Sequence, residues 1–177
     1  MAEKMSPVIL WIDEIEKAFQ SQGGEQDGGV STRVLGTFLG WLQEREGDVF
    51  VVATANDVSK LPPELLRKGR LDEIFFLDLP DDSVRKELFS IHLKKRGMKP
   101  ETFDLNAMVN ASENFTGADI EQAIISALYS IFETGSKLQT HDVVKELKAT
   151  RCLAELMPEK INALRQWARD RTVSADR

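Results

Sequence analysis

The first half of the chain contains three short, continuously apolar runs. They occupy residues 8–12, 49–52 and 74–77. The first and third are bounded by proline or charged residues, and the second begins after Asp48 and runs through Ala53 into polar Thr54. An apolar run without alternation predicts a strand that is covered on both faces, as in a parallel sheet. A helix with a wide apolar face is predicted between the first two runs, and Pro62-Pro63 predicts the start of a short helix before the third.

After Pro80 the apolar positions change to helical spacing, and no further strand is predicted. The pair Asp81-Asp82 provides the cap of the first helix, and Thr116 with Asp119 forms a Ser/Thr-x-x-acid cap for a later one. Strands that alternate with helices, followed by helices alone, predict an α/β layered sheet with right-handed crossovers and then an all-α subdomain.

Composition narrows the classes of function. Hydrophobic residues make up 42% of the 177 residues and charged residues 29%, which is the balance of a soluble globular protein. No apolar stretch approaches the roughly 20 residues that cross a bilayer, so no membrane association is predicted. The net charge of −6 argues against a broad nucleic-acid surface. Cys152 is the only cysteine, which excludes an internal disulfide and favours a reducing compartment.

The first candidate for chemistry is the Asp13-Glu14 pair at the carboxyl end of the first predicted strand. In open α/β sheets, ligands bind at that edge. A nucleotide hydrolase needs an aspartate there to hold the Mg²⁺ shell and a second group to orient or deprotonate the attacking water. Asp13 and Glu14 fit these two roles in that order. The alternative is a strand that simply ends in two solvated acids.

Two later segments offer groups that bind phosphate. Asn56, at the end of the second predicted strand, could hydrogen-bond a phosphate or the lytic water, or it could be a turn residue before Asp57. Arg67 and Arg70 are three residues apart and could present guanidinium groups to a phosphate. They could equally form a solvated face at a helix end.

Between Pro7 and about Gly135, this chain resembles the AAA ATPases in four segments that occur in the same order. They are an apolar strand ending in Asp-Glu, an Ala-Thr-Asn-type strand end at residues 53–56, a Leu-Leu-Arg-x-Gly-Arg-apolar-Asp segment at 65–72 and a Gly-Ala-Asp helix start at 117–119. The resemblance implies an α/β P-loop NTPase core with an incomplete parallel sheet, followed by an all-α lid. The implied domains are a partial AAA core at 1–80, lid helices at 81–136 and a helical extension at 137–177.

The resemblance also implies a role for each matching residue. Asp13 and Glu14 would be the Walker B pair, with Asp13 holding Mg²⁺ through water and Glu14 acting as the catalytic base. Asn56 would be the sensor-1 residue. Arg67 would be an arginine finger that reaches a neighbouring subunit's site, with Arg70 beside it. Contacts with the bound nucleotide are implied for Leu88, His92, Gly117 and Ala118, although His92 could instead be an ordinary interfacial histidine.

No Gly-x-x-x-x-Gly-Lys-Ser/Thr sequence occurs, and the glycine-rich loop at residues 23–29 has no lysine. This polypeptide is therefore expected to be inactive alone, and a truncated gene, a split gene and an incomplete gene sequence would all account for the absence. Without the P-loop strand, the predicted strand at residues 74–77 is expected to lack a neighbour, leaving open edges and an uncovered apolar face.

For the complete protein, the resemblance implies binding of ATP and Mg²⁺ and ATP hydrolysis by a hexamer that remodels a protein substrate. The partners would be other AAA subunits or a missing amino-terminal half. The alternative is a non-catalytic module that joins AAA rings and donates Arg67 in trans. A metalloprotease-linked subunit is disfavoured, since neither His92 nor His141 belongs to a His-Glu-x-x-His motif.

The carboxy-terminal segment adds a narrower resemblance. Residues 156–169 are similar to the ending of an uncharacterised AAA family encoded in plastids, cyanobacteria and other bacteria, and residues 10–19 and 36–43 support the same identification. The alternative for this segment is a closing amphipathic helix. The resemblance implies a cytoplasmic location, or the plastid stroma if the gene lies in a plastid.

Overall fold

The computed structural model describes residues 2–19, 30–67, 69–132 and 135–175, with the main chain alone for residues 30–32. The chain divides into two compact units. The first is Met1–Phe75 with Asp170–Val173, and the second is Phe76–Arg169 with Ser174–Arg177. The predicted loop at residues 23–29 lies outside the described residues. Among the helices that the structure describes, none is long and apolar enough to cross a membrane.

The first unit contains two parallel strands, β1 (Val8–Ile12) and β2 (Val49–Ala53), whose register runs from Val8 opposite Val49 to Ile12 opposite Ala53. Between them lie the helices α1 (Ile15–Ala18) and α2 (Val30–Glu44). Parallel strands need a crossover connection, and α2 lies within it. The first two apolar runs therefore form the strands predicted from the sequence.

One face of this sheet is covered and the other is exposed. On the covered face, the half-buried residues Ile12, Val51 and Ala53 pack against an apolar core. The buried residues of that core are Ile15, Leu39, Leu42 and Leu65. On the opposite face, Ile9 is 69% exposed and its register partner Phe50 is 67% exposed. The prediction that these strands are covered on both faces is therefore wrong for the part of the chain that the structure describes.

The third apolar run forms only the two-residue strand β3 (Phe75–Phe76), which pairs with β4 (Val173–Ser174). The Val173 N–H donates to the Ile74 carbonyl at 2.9 Å, and the Ala175 N–H donates to the Phe76 carbonyl at 3.1 Å. The predictions that this run lacks a pairing partner and that no strand follows Pro80 are therefore wrong. A two-residue strand is too short to produce a periodic signal in the sequence.

The second unit is predominantly helical. Its helices are α3 (Asp82–Lys95), α4 (Leu105–Asn110), α5 (Gly117–Phe132), α6 (Thr140–Ala149), α7 (Leu153–Leu156) and α8 (Pro158–Ala168). Their apolar faces share one core, whose fully buried members include Phe89, Leu93, Met108, Ile120, Ile124, Val143, Leu147 and Cys152. Cys152 therefore serves as a small apolar core residue.

Two predicted caps begin α3 and α5. The Asp81 carboxylate accepts the Val84 N–H at 2.8 Å. At α5, the Asp119 carboxylate accepts the Thr116 N–H at 2.9 Å, while the Thr116 hydroxyl accepts the Asp119 N–H at 3.2 Å. These bonds satisfy main-chain donors that have no partner inside the helix, and they fix where each helix starts.

Candidate functional site

The carboxyl ends of β1 and β2 lie side by side, because Ile12 is opposite Ala53. The polar residues that follow the two strands therefore meet at one edge of the sheet. Asp13 and Glu14 follow β1, and Thr54 and Asn56 follow β2. The structure thus brings together the acidic pair and the asparagine that the sequence placed 43 positions apart (56 − 13).

Thr54 holds the turn that carries the acidic pair. Its hydroxyl donates to Asp13 Oδ1 at 2.5 Å and accepts the Glu14 N–H at 3.0 Å. The main chain of Thr54 is itself fixed, since its N–H donates to Ile12 and its carbonyl accepts from Ile15, both at 2.9 Å. Glu14 adopts a left-handed conformation with φ of 49°, which is uncommon outside glycine. Thr54 was missed as a site residue, although a hydroxyl at the end of a strand beside an acidic pair was a usable signal.

The Asn56 side chain lies against the predicted base. Its Nδ2 donates to Glu14 Oε1 at 2.9 Å, and Lys17 Nζ contacts the other carboxylate oxygen, Oε2. The hydrogen bond with Glu14 and the attraction of its charge raise the pKa of the exposed Lys17 above its ordinary value. Glu14 is therefore held in place by an amide donor on one oxygen and a cation on the other.

The residues that would hold Mg²⁺ fit that ion. Asp13 is exposed, and its Oδ2 accepts no hydrogen bond from the described residues. Mg²⁺ commonly keeps several waters and uses one or two protein carboxylates, so a single aspartate acting through water matches its chemistry. Among the described residues, no group of three or more histidine, cysteine, aspartate or glutamate side chains could enclose a metal ion.

The two arginines predicted together have different surroundings. Residues 63–66 form turns rather than the predicted helix, with the Leu65 N–H bonded to the Pro62 carbonyl at 2.9 Å. Arg70 Nη1 donates to the Leu39 carbonyl at 2.6 Å, which ties this segment to α2. Arg67 is exposed, and its guanidinium forms no hydrogen bond or ion pair within the described residues. Between them Gly69 has a φ of 88°, which favours glycine.

In the second unit, the start of α5 packs against α3. A Cβ atom added to Gly117 would lie 3.5 Å from Leu88 Cδ2, so the main chain of Gly117 and the Leu88 side chain are neighbours. Ala118 follows as an exposed residue of the first turn. Three of the four residues predicted to contact nucleotide in this unit therefore lie close together.

The fourth, His92, belongs to an ion cluster between α3 and α5. Its side chain is 14% exposed, and its buried Nδ1 lies 3.4 Å from Glu121 Oε1 without the geometry of a hydrogen bond. The same oxygen accepts a hydrogen bond from Arg96 Nη2 at 2.9 Å and lies 3.5 Å from Lys95 Nζ. These contacts support the interfacial interpretation of His92, while its contact with nucleotide stays a prediction.

The cluster should make stability depend on pH. The hydrogen bond from Arg96 lowers the pKa of Glu121, aided by the charges of Lys95 and His92 and opposed by burial. A carboxyl with a lowered folded pKa contributes stability that is present above its unfolded pKa and lost as pH falls through the folded pKa. We expect Glu121→Gln to flatten the decline of Tm over the acidic range, as measured by circular dichroism. The exposed carboxylate variant Glu159→Gln is the control, and equal slopes for both variants would contradict this prediction.

The comparisons with known proteins identify the family that the sequence resembles. Residues 1–79 match the model of the ATPase family associated with various cellular activities, AAA. The chain is 47% identical over 169 residues to the uncharacterised AAA domain-containing protein ycf46 of Trieres chinensis, covering 95% of this chain and 34% of that protein. It is 34% identical over 158 residues to the proteasome-activating nucleotidase of Aeropyrum pernix, covering 84% of this chain and 38% of that protein. The chain thus spans between 33% and 35% of the length of the first three ycf46 relatives.

A solved structure shares the fold. The AAA domain of FIGL-1 superposes with a TM-score of 0.76 at 17% identity, covering 97% of this chain and 59% of that chain. The predicted fold class, an α/β core followed by a helical part, is thereby confirmed. The chain therefore carries AAA ATPase domain sequence, and it is similar over nearly all of its length to the ycf46 proteins.

Proposed function

We propose that this chain supplies the water-activating edge and the helical lid of an ATP-hydrolysing AAA site. The observation that carries the proposal is the 2.9 Å hydrogen bond from the Asn56 amide to the Glu14 carboxylate, beside Asp13 at the carboxyl edge of the parallel strands. A carboxylate and an amide at this edge can together hold a water molecule, one as proton acceptor and the other as orienting donor.

Each residue has a distinct part in this proposal. Glu14 accepts a proton from the attacking water, and Asn56 keeps the carboxylate and the water aligned. Asp13 would hold Mg²⁺ through water, and that ion would supply charge neutralisation at the phosphates when bound. Thr54 supports both acids, because its hydroxyl bonds to each of them.

In this proposal, the lid residues that contact the nucleotide are Leu88, His92, Gly117 and Ala118. The close approach of Gly117 to Leu88 supports a surface on which main chain, rather than a long side chain, meets the ligand. His92 would have to serve the nucleotide while remaining beside Glu121. We assign the lid to residues 81–136 and the helical extension to residues 137–177.

The complete protein would act as a ring of AAA subunits on a protein substrate. One relative is named a proteasome-activating nucleotidase. In such a ring, the exposed Arg67 would act on the neighbouring subunit's ATP. Arg70 would hold the segment through its bond to Leu39 rather than contact phosphate itself. The compartment would be the cytoplasm or, for a plastid gene, the stroma.

The 177-residue polypeptide should show no ATP turnover above background. Its sequence contains no Gly-x-x-x-x-Gly-Lys-Ser/Thr, so neither the main-chain cradle for the phosphates nor the phosphate-binding lysine is supplied. Steady-state phosphate release at saturating ATP measures this, with Glu14→Gln as the control for contaminating activity. Turnover that Glu14→Gln removes would contradict the expectation, because it would originate in this chain.

A second candidate function is a non-catalytic module that joins rings of complete AAA subunits and donates Arg67 in trans. The exposure of the Arg67 side chain favours it. The discriminating experiment adds this chain to complete ycf46 subunits whose own arginine at the position of Arg67 is replaced by alanine. Recovered ATP turnover that depends on Arg67 but not on Glu14 would favour the module over the water-activating role.

A further inference from the structure

Glu16 is a buried carboxylate to which the roles above assign nothing. It is 3% exposed and lies in the first turn of α1, two residues after Glu14. Removing a carboxylate from water is unfavourable unless hydrogen bonds compensate for the lost solvation. A buried glutamate at this position therefore calls for a local partner.

The hydrogen bonds of Glu16 lead to Asn56. Glu16 Oε1 accepts the main-chain N–H of Asn56 at 3.0 Å. Glu16 Oε2 is buried and accepts no hydrogen bond from the part of the chain that the structure describes. Within the described residues, the hydrogen bond that this carboxylate accepts thus comes from Asn56, whose side chain donates to Glu14 at 2.9 Å.

The main chain at Asn56 needs such support because the strand has already ended. β2 ends at Ala53, and the bond between the Thr54 N–H and the Ile12 carbonyl at 2.9 Å is the last one from this strand end to β1. Asn56 lies two residues farther on, and its N–H is held by the Glu16 carboxylate instead. A charge-assisted hydrogen bond of this kind is about twice as strong as a neutral one.

We propose that Glu16 is a positioning residue that fixes the main chain of Asn56 and thereby keeps the Asn56 amide within hydrogen-bond distance of Glu14. Glu14 and Glu16 then act on the same asparagine from one short segment, Glu14 through the side chain and Glu16 through the main chain. The consequence for catalysis rests on the proposed ATPase function. The positioning itself does not, because it concerns contacts within this polypeptide.

A matched pair of variants distinguishes the effect of losing the hydrogen-bond acceptor from the effect of changing side-chain packing. Glu16→Gln keeps an oxygen acceptor of the same reach, whereas Glu16→Met keeps the length and removes the acceptor. Amide exchange of the 177-residue chain is followed by NMR as the ratio of the Asn56 rate to the Thr54 rate. We expect Glu16→Met to raise this ratio by about tenfold to a hundredfold, and Glu16→Gln to leave it within a few fold. The Asn56 side-chain amide signals should shift toward those of a solvated asparagine in Glu16→Met alone.

Two further measurements guard against a purely structural effect. Leu42→Val perturbs the same core without touching the polar groups, so it should change the Asn56 and Thr54 rates together and leave their ratio unaltered. In the unsubstituted protein, a scalar coupling across the hydrogen bond should join the Asn56 nitrogen to the Glu16 carboxyl carbon. An unchanged ratio in Glu16→Met, or a Glu16→Gln ratio as high as that of Glu16→Met, would overturn the proposal. If Glu16→Met does not fold, absence of the scalar coupling would overturn it.

ATP turnover of the Glu16 variants tests whether the positioning of Asn56 matters for catalysis. In a preparation whose ATPase activity has been restored by a separately supplied P-loop segment, Glu16→Met should lower kcat and leave nucleotide affinity unchanged, and Glu16→Gln should retain most of the activity. If the unsubstituted chain combined with the P-loop segment hydrolyses no ATP, the proposed function fails while the exchange ratio still decides the positioning. If ATP is hydrolysed and the ratio is unchanged in Glu16→Met, the positioning fails alone.

Discussion

Glu14→Gln should lower ATP turnover by about 10²–10⁴ once a P-loop segment is supplied, because general-base catalysis typically contributes that much. The experiment combines this chain with a separate polypeptide that carries the P-loop strand and helix of a ycf46 relative. Association is expected since strand pairing would cover the open sheet edge and the complex would bury apolar surface, which is exposed here at Ile9, Trp11 and Phe50. Glutamine retains an oxygen that can accept the Asn56 amide, so the variant removes the base and preserves the local contact. Phosphate release measures the loss.

The control for this substitution is Glu159→Gln, an exposed carboxylate change in the first turn of α8. It should leave turnover within a few fold of the unsubstituted chain. Binding of a fluorescent ATP analogue should persist in Glu14→Gln, because the carboxylate acts on water rather than on the nucleotide. A restored preparation in which Glu14→Gln turns over normally would remove Glu14 from the role of base.

The fold was predictable wherever residue pattern and local structure coincide. The apolar runs before Asp13 and Thr54 formed β1 and β2, because short uninterrupted apolar segments favour strands whose main chain pairs within a parallel sheet. The caps at Asp81 and Thr116 were readable because they depend on residues three positions apart. β4 was not readable, since a pairing of Val173–Ser174 with Phe75–Phe76 depends on tertiary structure alone.

The sequence predicted the site residues that follow the two strands, but not the residues whose hydrogen bonds hold them in place. Both residues were predicted from their places at strand ends, and because parallel strands end at the same edge, the Asn56 amide lies 2.9 Å from the Glu14 carboxylate. Thr54 was missed although its hydroxyl follows a strand end beside the acidic pair. Glu16 was missed because its contact with the Asn56 main chain depends on the turn after β1, which a single sequence does not specify. Arg67 and Arg70 looked equivalent in the sequence, and the Leu39 carbonyl now distinguishes them.

Arg67→Ala should lower ATP turnover of the restored preparation by a factor on the order of 10³–10⁵ while leaving nucleotide affinity nearly unchanged. The reason is that an arginine finger stabilises charge that develops in the transition state of the neighbouring site. The guanidinium is exposed and makes no hydrogen bond within the described residues, so its removal should cost the fold little. Arg151→Ala, another exposed arginine variant, is the control and should leave turnover within a few fold.

Mixing Arg67→Ala chains with Glu14→Gln chains tests whether the arginine acts in trans. Each site in a ring would combine Glu14 from one subunit with Arg67 from its neighbour. A mixed ring therefore contains some interfaces in which an intact Glu14 meets an intact Arg67, and these should recover part of the turnover that both parent preparations lack. The recovered rate should rise and fall with the mixing ratio, with a maximum near equal amounts, because the frequency of such interfaces follows the product of the two fractions. Mixtures that stay as inactive as their parents, in rings verified by sedimentation, would show that Arg67 does not act across a subunit interface.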